Sequence, residues 1–288
     1  MHAQQNATEM PERVIPQVRR VDTPDGARLA VFVYDARPAD AAEALPVLCL
    51  HGNGGSHMSF EGIAQALCRE RAVIVPDMRD QGISTRGDAG ELTYELLADD
   101  AACVLDALGT ARAAVLGFSD GGIEALLLAR DHARQVAGIV TMGANLVPEG
   151  VEGTSDMAAD EALYRSLEGD FPAAARQAEL LRLMLDHPHI SPASLAKVAC
   201  PATIMAGEFD MILPEETERI AAAIPGARKV IVPGAGHSLM RDAPEAVEQE
   251  VRALIALAEQ GRARGRGPDD PDDTDGARDD GGPACPTS

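Results

Sequence analysis

The chain has 288 residues, with 25 Lys and Arg against 46 Asp and Glu, a formal net charge of -21, 45% hydrophobic residues and 3% aromatic ones. That length supports one larger domain of the α/β kind with an insertion and excludes a small stapled scaffold. The acidic balance argues against nucleic acid or an anionic membrane as partner, because either would be approached against like charge over most of the surface.

Residues 1–13 are polar, include Glu9 and Glu12, and show no apolar h-region of a signal peptide. They are expected to be flexible. Residues 17–21 and 28–34, joined by the turn signal Thr23-Pro24-Asp25-Gly26, predict a β-hairpin. Strands are then predicted at 47–50, 72–76, 113–117, 136–142, 202–206 and 229–232, each bounded by Gly, Pro or Asp. Helical periodicity falls between them at 60–70, 93–108, 122–133, 216–223 and 244–259. This alternation gives an α/β class, a mainly parallel sheet with helices on both faces. The apolar runs are strand-length, far below the roughly 18 residues of a membrane helix.

One stretch breaks the rhythm. Residues 147–198 carry no strand signal and helical patterns at 160–167 and 173–185, which predicts a helical lid inserted between core segments 14–146 and 199–260. Residues 261–288 hold seven Asp and four Arg among Gly and Pro, with no apolar period, and are expected to be a disordered acidic tail. Their net charge of -3 leaves -18 for the rest, so the acidity belongs to the folded part. Cys49, Cys68, Cys103, Cys200 and Cys285 are scattered without C-x-x-C pairing and read as reduced thiols, which predicts a cytoplasmic protein.

Gly117-Phe118-Ser119-Asp120-Gly121-Gly122 stands at a strand end and opens a helix. In that context G-x-S-x-G lifts a serine hydroxyl above the sheet and aims the helix N-terminus at the reacting centre, which makes Ser119 the candidate nucleophile. The bland alternative is a glycine-rich loop for helix–strand packing. A serine needs a base to take its proton and an acid to hold that base. Asp210 follows the strand at 202–206, and His237 follows the strand at 229–232, both at carboxyl ends of parallel strands. Glu208 is a competing acid; Asp210 is preferred because it lies farther out on the loop. Of the seven histidines, His237 alone has the right chain position: His2 is in the loose end, His51 and His57 precede the serine, His132 ends a helix, and His187 and His189 lie in the lid.

The turn His51-Gly52-Asn53-Gly54-Gly55 can aim the Asn53 N–H at a developing oxyanion, with the Asp120 N–H as second donor. His51 is read as a brace for that turn rather than as a metal ligand with His57, since the pair lacks helical i, i+4 spacing. His187-Pro188-His189 is likewise not read as a metal site. No G-K-[ST] follows the glycines, which argues against nucleotide binding.

These segments, with Asp77-Met78-Arg79-Asp80-Gln81-Gly82-Ile83-Ser84, resemble the α/β-hydrolase family over about residues 29–257, specifically its esterase, aminoacyl-ester hydrolase and C–C hydrolase group with a small helical lid. The last motif departs from the family's D-x-R-G-x-G-x-S, with Asp80 in place of Gly and Gln81 where His is common, a difference confined to loop shape. The resemblance and the residues together imply a serine hydrolase without cofactor or metal, acting on a small carboxylic ester or amide through Ser119, His237 and Asp210. Alternatives on the same residues are aminoacyl-ester hydrolysis or aminopeptidase action, C–C bond hydrolysis, perhydrolysis, and a low-turnover ligand-binding protein. A pocket-facing Asp120 or a lid acid among Glu149, Glu152, Asp156, Asp160 and Glu161 would favour a substrate ammonium; a solvated acidic face is the plainer reading. Met157, Leu163, Leu180, Leu181, Leu183, Met184 and Leu185 are candidates for an acyl pocket, although packing of the lid is the commoner use of such side chains.

Overall fold

The computed structural model describes residues 12–265. Its elements run β1 (Gln17–Asp22), β2 (Arg28–Tyr34), β3 (Val47–Leu50), α1 (Glu61–Leu67), β4 (Val73–Pro76), α2 (Tyr94–Ala107), β5 (Ala113–Phe118), α3 (Asp120–Asp131), β6 (Val136–Met142), α4 (Thr154–Leu167), α5 (Pro172–Asp186), β7 (Ala202–Phe209), α6 (Pro214–Ala223), β8 (Arg228–Gly236), α7 (Leu239–Asp242) and α8 (Pro244–Gly265). One sheet has the order β1-β2-β4-β3-β5-β6-β7-β8, with β1 and β2 antiparallel and the strands from β4 onward parallel.

The period of two along each strand divides the core into two layers. Leu48, Leu50 and Val115 face one cluster, covered by α2 and α3, while Val47, Cys49, Ala114 and Leu116 face the other, covered by α1 and α8. Strands buried on both faces read as continuous apolar runs, which is why β3, β4 and β5 are legible without alternation. Each fully buried Leu in these layers contributes about 1.5–3 kcal/mol of transfer free energy.

The expected hairpin forms, with Asp22 opposite Arg28 and Gly26 at φ 81 closing the turn. Three boundaries move. β7 and β8 run on to Phe209 and Gly236, so Asp210 and His237 each follow directly on a strand end. α8 continues to Gly265, past the expected start of the tail at 261, because the Arg-rich sequence there carries the helix on before Pro268. Residues 12–13 are held rather than loose, with Arg13 Nε donating to Glu61 Oε1 at 2.8 Å; the remainder of both expected flexible ends lies outside the described residues. The stretch 147–198 does lie between β6 and β7 and contains α4 and α5.

Cys49, Cys68 and Cys200 are free thiols, whereas Cys103 on α2 is disulfide-bonded, which corrects the expectation of five reduced cysteines. Pairing depends on proximity in the fold, and spacing along the chain carries no trace of it. Cys285 lies outside the described residues. No helix among the described residues is long and apolar enough to cross a membrane.

Candidate active site

Ser119 ends β5 and caps α3 with φ 54 and ψ -119, a backbone region that costs a non-glycine residue about 1–3 kcal/mol. The surroundings hold it there: its N–H donates to Met142 O at 2.7 Å, and its carbonyl accepts the Gly122 and Ile123 N–H groups at 2.8 and 3.2 Å. The side chain is thereby lifted over the C-terminal edge of the sheet.

His237 follows β8 and reaches back across that edge. Its Nε2 lies 3.0 Å from Ser119 Oγ, and its Nδ1 lies 2.6 Å from Asp210 Oδ1. An ionised carboxylate only accepts, so Nδ1 carries the proton and Nε2 is left to accept from the serine hydroxyl. Asp210 Oδ1 also accepts the Ile212 N–H at 3.0 Å, and the side chain is 2% exposed. Glu208, the competing acid, instead accepts the Gly234 N–H at 2.8 Å from an exposed position. Gly143 makes room for the imidazole: a Cβ there would stand 2.7 Å from His237 Cε1, and its φ of 62 is itself left-handed.

The turn at 51–55 packs directly on the serine, with a Cβ on Gly52 meeting Ser119 Cβ at 3.0 Å. His51 braces this turn as expected: Nδ1 donates to Gly52 O at 2.9 Å, Nε2 accepts the Met78 N–H at 3.0 Å, and burial lowers its pKa, so the ring is neutral. His57 is engaged elsewhere, 3.0 Å from Asp77 Oδ1 and stacked on Phe32. The 77–84 segment supports the same turn. Gln81 Oε1 accepts the Gly54 N–H at 2.7 Å, and Asp80, standing where the family has glycine, keeps a left-handed φ of 60.

Asp120, first residue of α3, brings its N–H to the same end of the helix as Ser119. Its carboxyl is buried, which pushes its pKa up to about 6 against hydrogen bonds from Asn53 and Tyr94 that pull it down. One turn along α3, Glu124 is fully buried with neither oxygen partnered among the described residues, and desolvation raises its pKa well above the carboxylate range.

Two spaces flank Ser119. One is a narrow chamber of about 10 Å³, room for a single water, lined by Tyr94, Asp120, Asn145, Met184 and His187 among others. The other is an open groove of about 360 Å³ bounded by Gly52, Asn53, Phe118, Met184 and Ser238. Met184 on α5 borders both. Of the apolar residues at 157–185 proposed for a pocket, Met184 alone lines these spaces, while Leu180 and Leu183 are buried in the core and Leu163 is 55% exposed. Glu149, Glu152, Asp156 and Asp160 are exposed, and Glu161 pairs with Arg165 at 2.8 Å, so Asp120 is the acid that faces the chamber. Tyr94, Asn145 and His187 escaped the sequence reading because nothing local marks them: they reach the chamber from three separate segments. The described residues contain no group of three or more His, Cys, Asp or Glu able to hold a metal.

The profile of the family described as alpha/beta hydrolase fold matches residues 46–184. RutD of Caulobacter sp. strain K31, named as a candidate carbamate hydrolase, is 26% identical over 77% of this chain and 95% of its own length. A 2-hydroxymuconate semialdehyde hydrolase of Pseudomonas sp. strain CF600 is 34% identical over 36% of this chain and 38% of that protein. Among solved structures, a thermophilic esterase from Thermogutta terrifontis superposes with a TM-score of 0.67 at 26% identity, covering 84% of this chain and 99% of the esterase. Sheet order, strand-to-helix turn and these matches agree, and the chain has the α/β-hydrolase fold.

Proposed function

We propose that the protein is a serine hydrolase that cleaves a small carboxylic ester through an acyl-enzyme. The observation that carries this reading is the continuous hydrogen-bonded line from Ser119 Oγ through His237 to Asp210, 3.0 and 2.6 Å in its two links. In the proposed reaction Ser119 Oγ attacks the acyl carbonyl while His237 Nε2 takes its proton. Asp210 holds the Nδ1–H tautomer and stabilises the imidazolium that forms. The Asn53 and Asp120 N–H groups stabilise the oxyanion at the positive end of α3. His237 then returns the proton to the leaving alcohol, and water enters by the same route to release the acid. No cofactor takes part in this scheme. The names of the relatives, an esterase, a C–C hydrolase and a candidate carbamate hydrolase, support hydrolysis and span several bonds.

A second reading rests on Asp120. Its carboxyl lines the narrow chamber and, with a pKa pushed up to about 6, is ionised above neutral pH, a charge suited to the ammonium of an aminoacyl ester. The test is a fluorophosphonate probe with the labelled peptide mapped, run beside p-nitrophenyl and aminoacyl ester turnover by wild type, Ser119→Ala and Asp120→Asn. Labelling at Ser119 with turnover falling by about 10⁴-fold or more in Ser119→Ala is expected. Turnover that survives Ser119→Ala overturns the reading. An aminoacyl preference abolished by Asp120→Asn selects the second reading over the first.

A further inference from the structure

The side-chain amide of Asn53 has two N–H groups, and both are committed across segment boundaries. One donates to Asp120 Oδ2 at 2.9 Å, and the other to the carbonyl of Leu180 on α5, also at 2.9 Å. Asn53 is therefore the point at which the glycine turn, the start of α3 and the helical insertion are tied together. The Leu180 bond is placed to matter, because Met184 stands one turn further along the same helix and forms the border between chamber and groove. Besides this bond, α5 packs Leu180 and Leu183 into the core and pairs Arg176 with Asp80 and Glu179 with Arg86, whereas α4 buries no residue.

We propose that the Asn53 side chain is a positioning residue that clips α5 over Ser119 and so sets the length of acyl chain the site accepts. The inference rests on the ester reading above. A large leaving group such as p-nitrophenoxide has room only in the open groove of about 360 Å³, which directs the acyl chain toward the chamber. With the clip closed, Met184 confines that chamber to about 10 Å³, and acyl groups of two or three carbons are the ones that small adjustments can admit. With the clip open, α5 lifts, the chamber joins the groove, and the turn that carries the Asn53 N–H loses its anchor on Asp120. Length discrimination and oxyanion geometry are then lost by one event.

The experiment compares wild type, Asn53→Ala and Asn53→Asp. The aspartate keeps the size of the side chain, removes both donors and sets a second carboxylate against Asp120. Two quantities are read: kcat and KM for p-nitrophenyl acetate, butyrate and octanoate, and hydrogen exchange in peptides covering 172–186. The expected result is faster exchange in α5 in both variants, a fall of about tenfold or more in kcat for acetate, and a lowered KM for octanoate, so that the acetate-to-octanoate ratio of kcat/KM drops at least tenfold. Unchanged α5 exchange overturns the clip, whatever happens to activity. Faster exchange with an unchanged length preference overturns the selective role. Exchange does not depend on turnover, so a protein that hydrolyses none of the esters defeats the ester reading while the exchange measurement still decides whether Asn53 holds α5.

Discussion

Helices α3 and α4 are similar in length and opposite in setting. Ten of the twelve residues of α3 are buried, and it fixes Ser119 and Asp120 against the sheet through contacts with β3, β5 and β6. None of the fourteen residues of α4 is buried; it lies on α5, and Arg165, paired with Glu161 within the helix, joins it to Glu179 of α5. The atoms proposed to react thus stand on the most constrained helix, whose local opening must approach global unfolding in cost. Met184, the wall that would choose the substrate, stands on α5, which lies between these extremes: it buries Leu180 and Leu183 in the core and carries the exposed α4. Division of labour of this kind lets one chemistry be kept while its substrate range drifts.

The comparison breaks most severely at Gly143. Gly143→Ala places a Cβ 2.7 Å from His237 Cε1 at a φ of 62, so the imidazole must move. A displacement near 1 Å costs about 100-fold in rate, and kcat for any ester that wild type cleaves is expected to fall by at least that much. The fold is expected to survive, as judged by circular dichroism.

A subtler disturbance of α3 is electrostatic. Burial raises the pKa of Glu124 well above the 4.5 of the unfolded chain, so the folded state holds its proton at pH values where the unfolded chain has lost it. A raised folded pKa in a carboxyl means that the unfolded state binds fewer protons across that interval, so stability falls as pH rises. Asp120, raised to about 6, adds the same sign between its unfolded pKa near 4 and pH 6. These two carboxyls are therefore expected to lower Tm from pH 5 to pH 8, against the opposite contribution of His51, whose lowered pKa favours the fold as the unfolded imidazole loses its proton near pH 6.5. Glu124→Gln, neutral throughout, should decline less steeply; equal slopes would show that Glu124 ionises freely in the fold.

Asp80→Gly relieves a left-handed φ but frees the unfolded chain and gives up contacts with Arg86 and Arg176 at 3.3 Å. These terms oppose each other, and urea denaturation should place the net change within about 1 kcal/mol. The smallest effect is expected on α4. Arg165→Ala removes exposed ion pairs worth about 0.2–1 kcal/mol each at most, and should leave global stability nearly unchanged while loosening the contact between α4 and α5.

How far the sequence could be read follows the same division. The fully apolar strands, the turn around Ser119 and the strand ends before Asp210 and His237 are dictated locally, by burial on both faces and by glycine where backbones crowd. They were legible for that reason. Helix α4 was read six residues short at its start, because a helix that buries nothing has no apolar period to show. Tyr94, Asn145 and the side-chain role of Asn53 depend on contacts between segments up to 127 positions apart, and no local pattern encodes those. The bond at Cys103 was misread for the same cause. Asp80 offers a middle case: its departure from the family's glycine pointed to loop shape without saying how, and the chain holds a left-handed φ there with a residue whose short polar side chain tolerates that conformation.

The two margins of the sheet bear on behaviour at high concentration. An open eight-stranded sheet presents unpaired N–H and C=O groups along β1 and β8, a template for strand-to-strand growth between molecules. β1 exposes Gln17, Val18, Arg19 and Arg20, and β8 exposes Arg228 and Lys229 and carries Pro233, which has no N–H to offer. The edge cations are largely paired, Arg20 with Asp22 on β1, and Arg228 with Glu250 and Lys229 with Glu218 on β8. Docking margin to margin would bury these charged pairs and leave a donor missing at Pro233, so the architecture resists fibrous aggregation through its edges, while a net charge of -21 maintains colloidal repulsion.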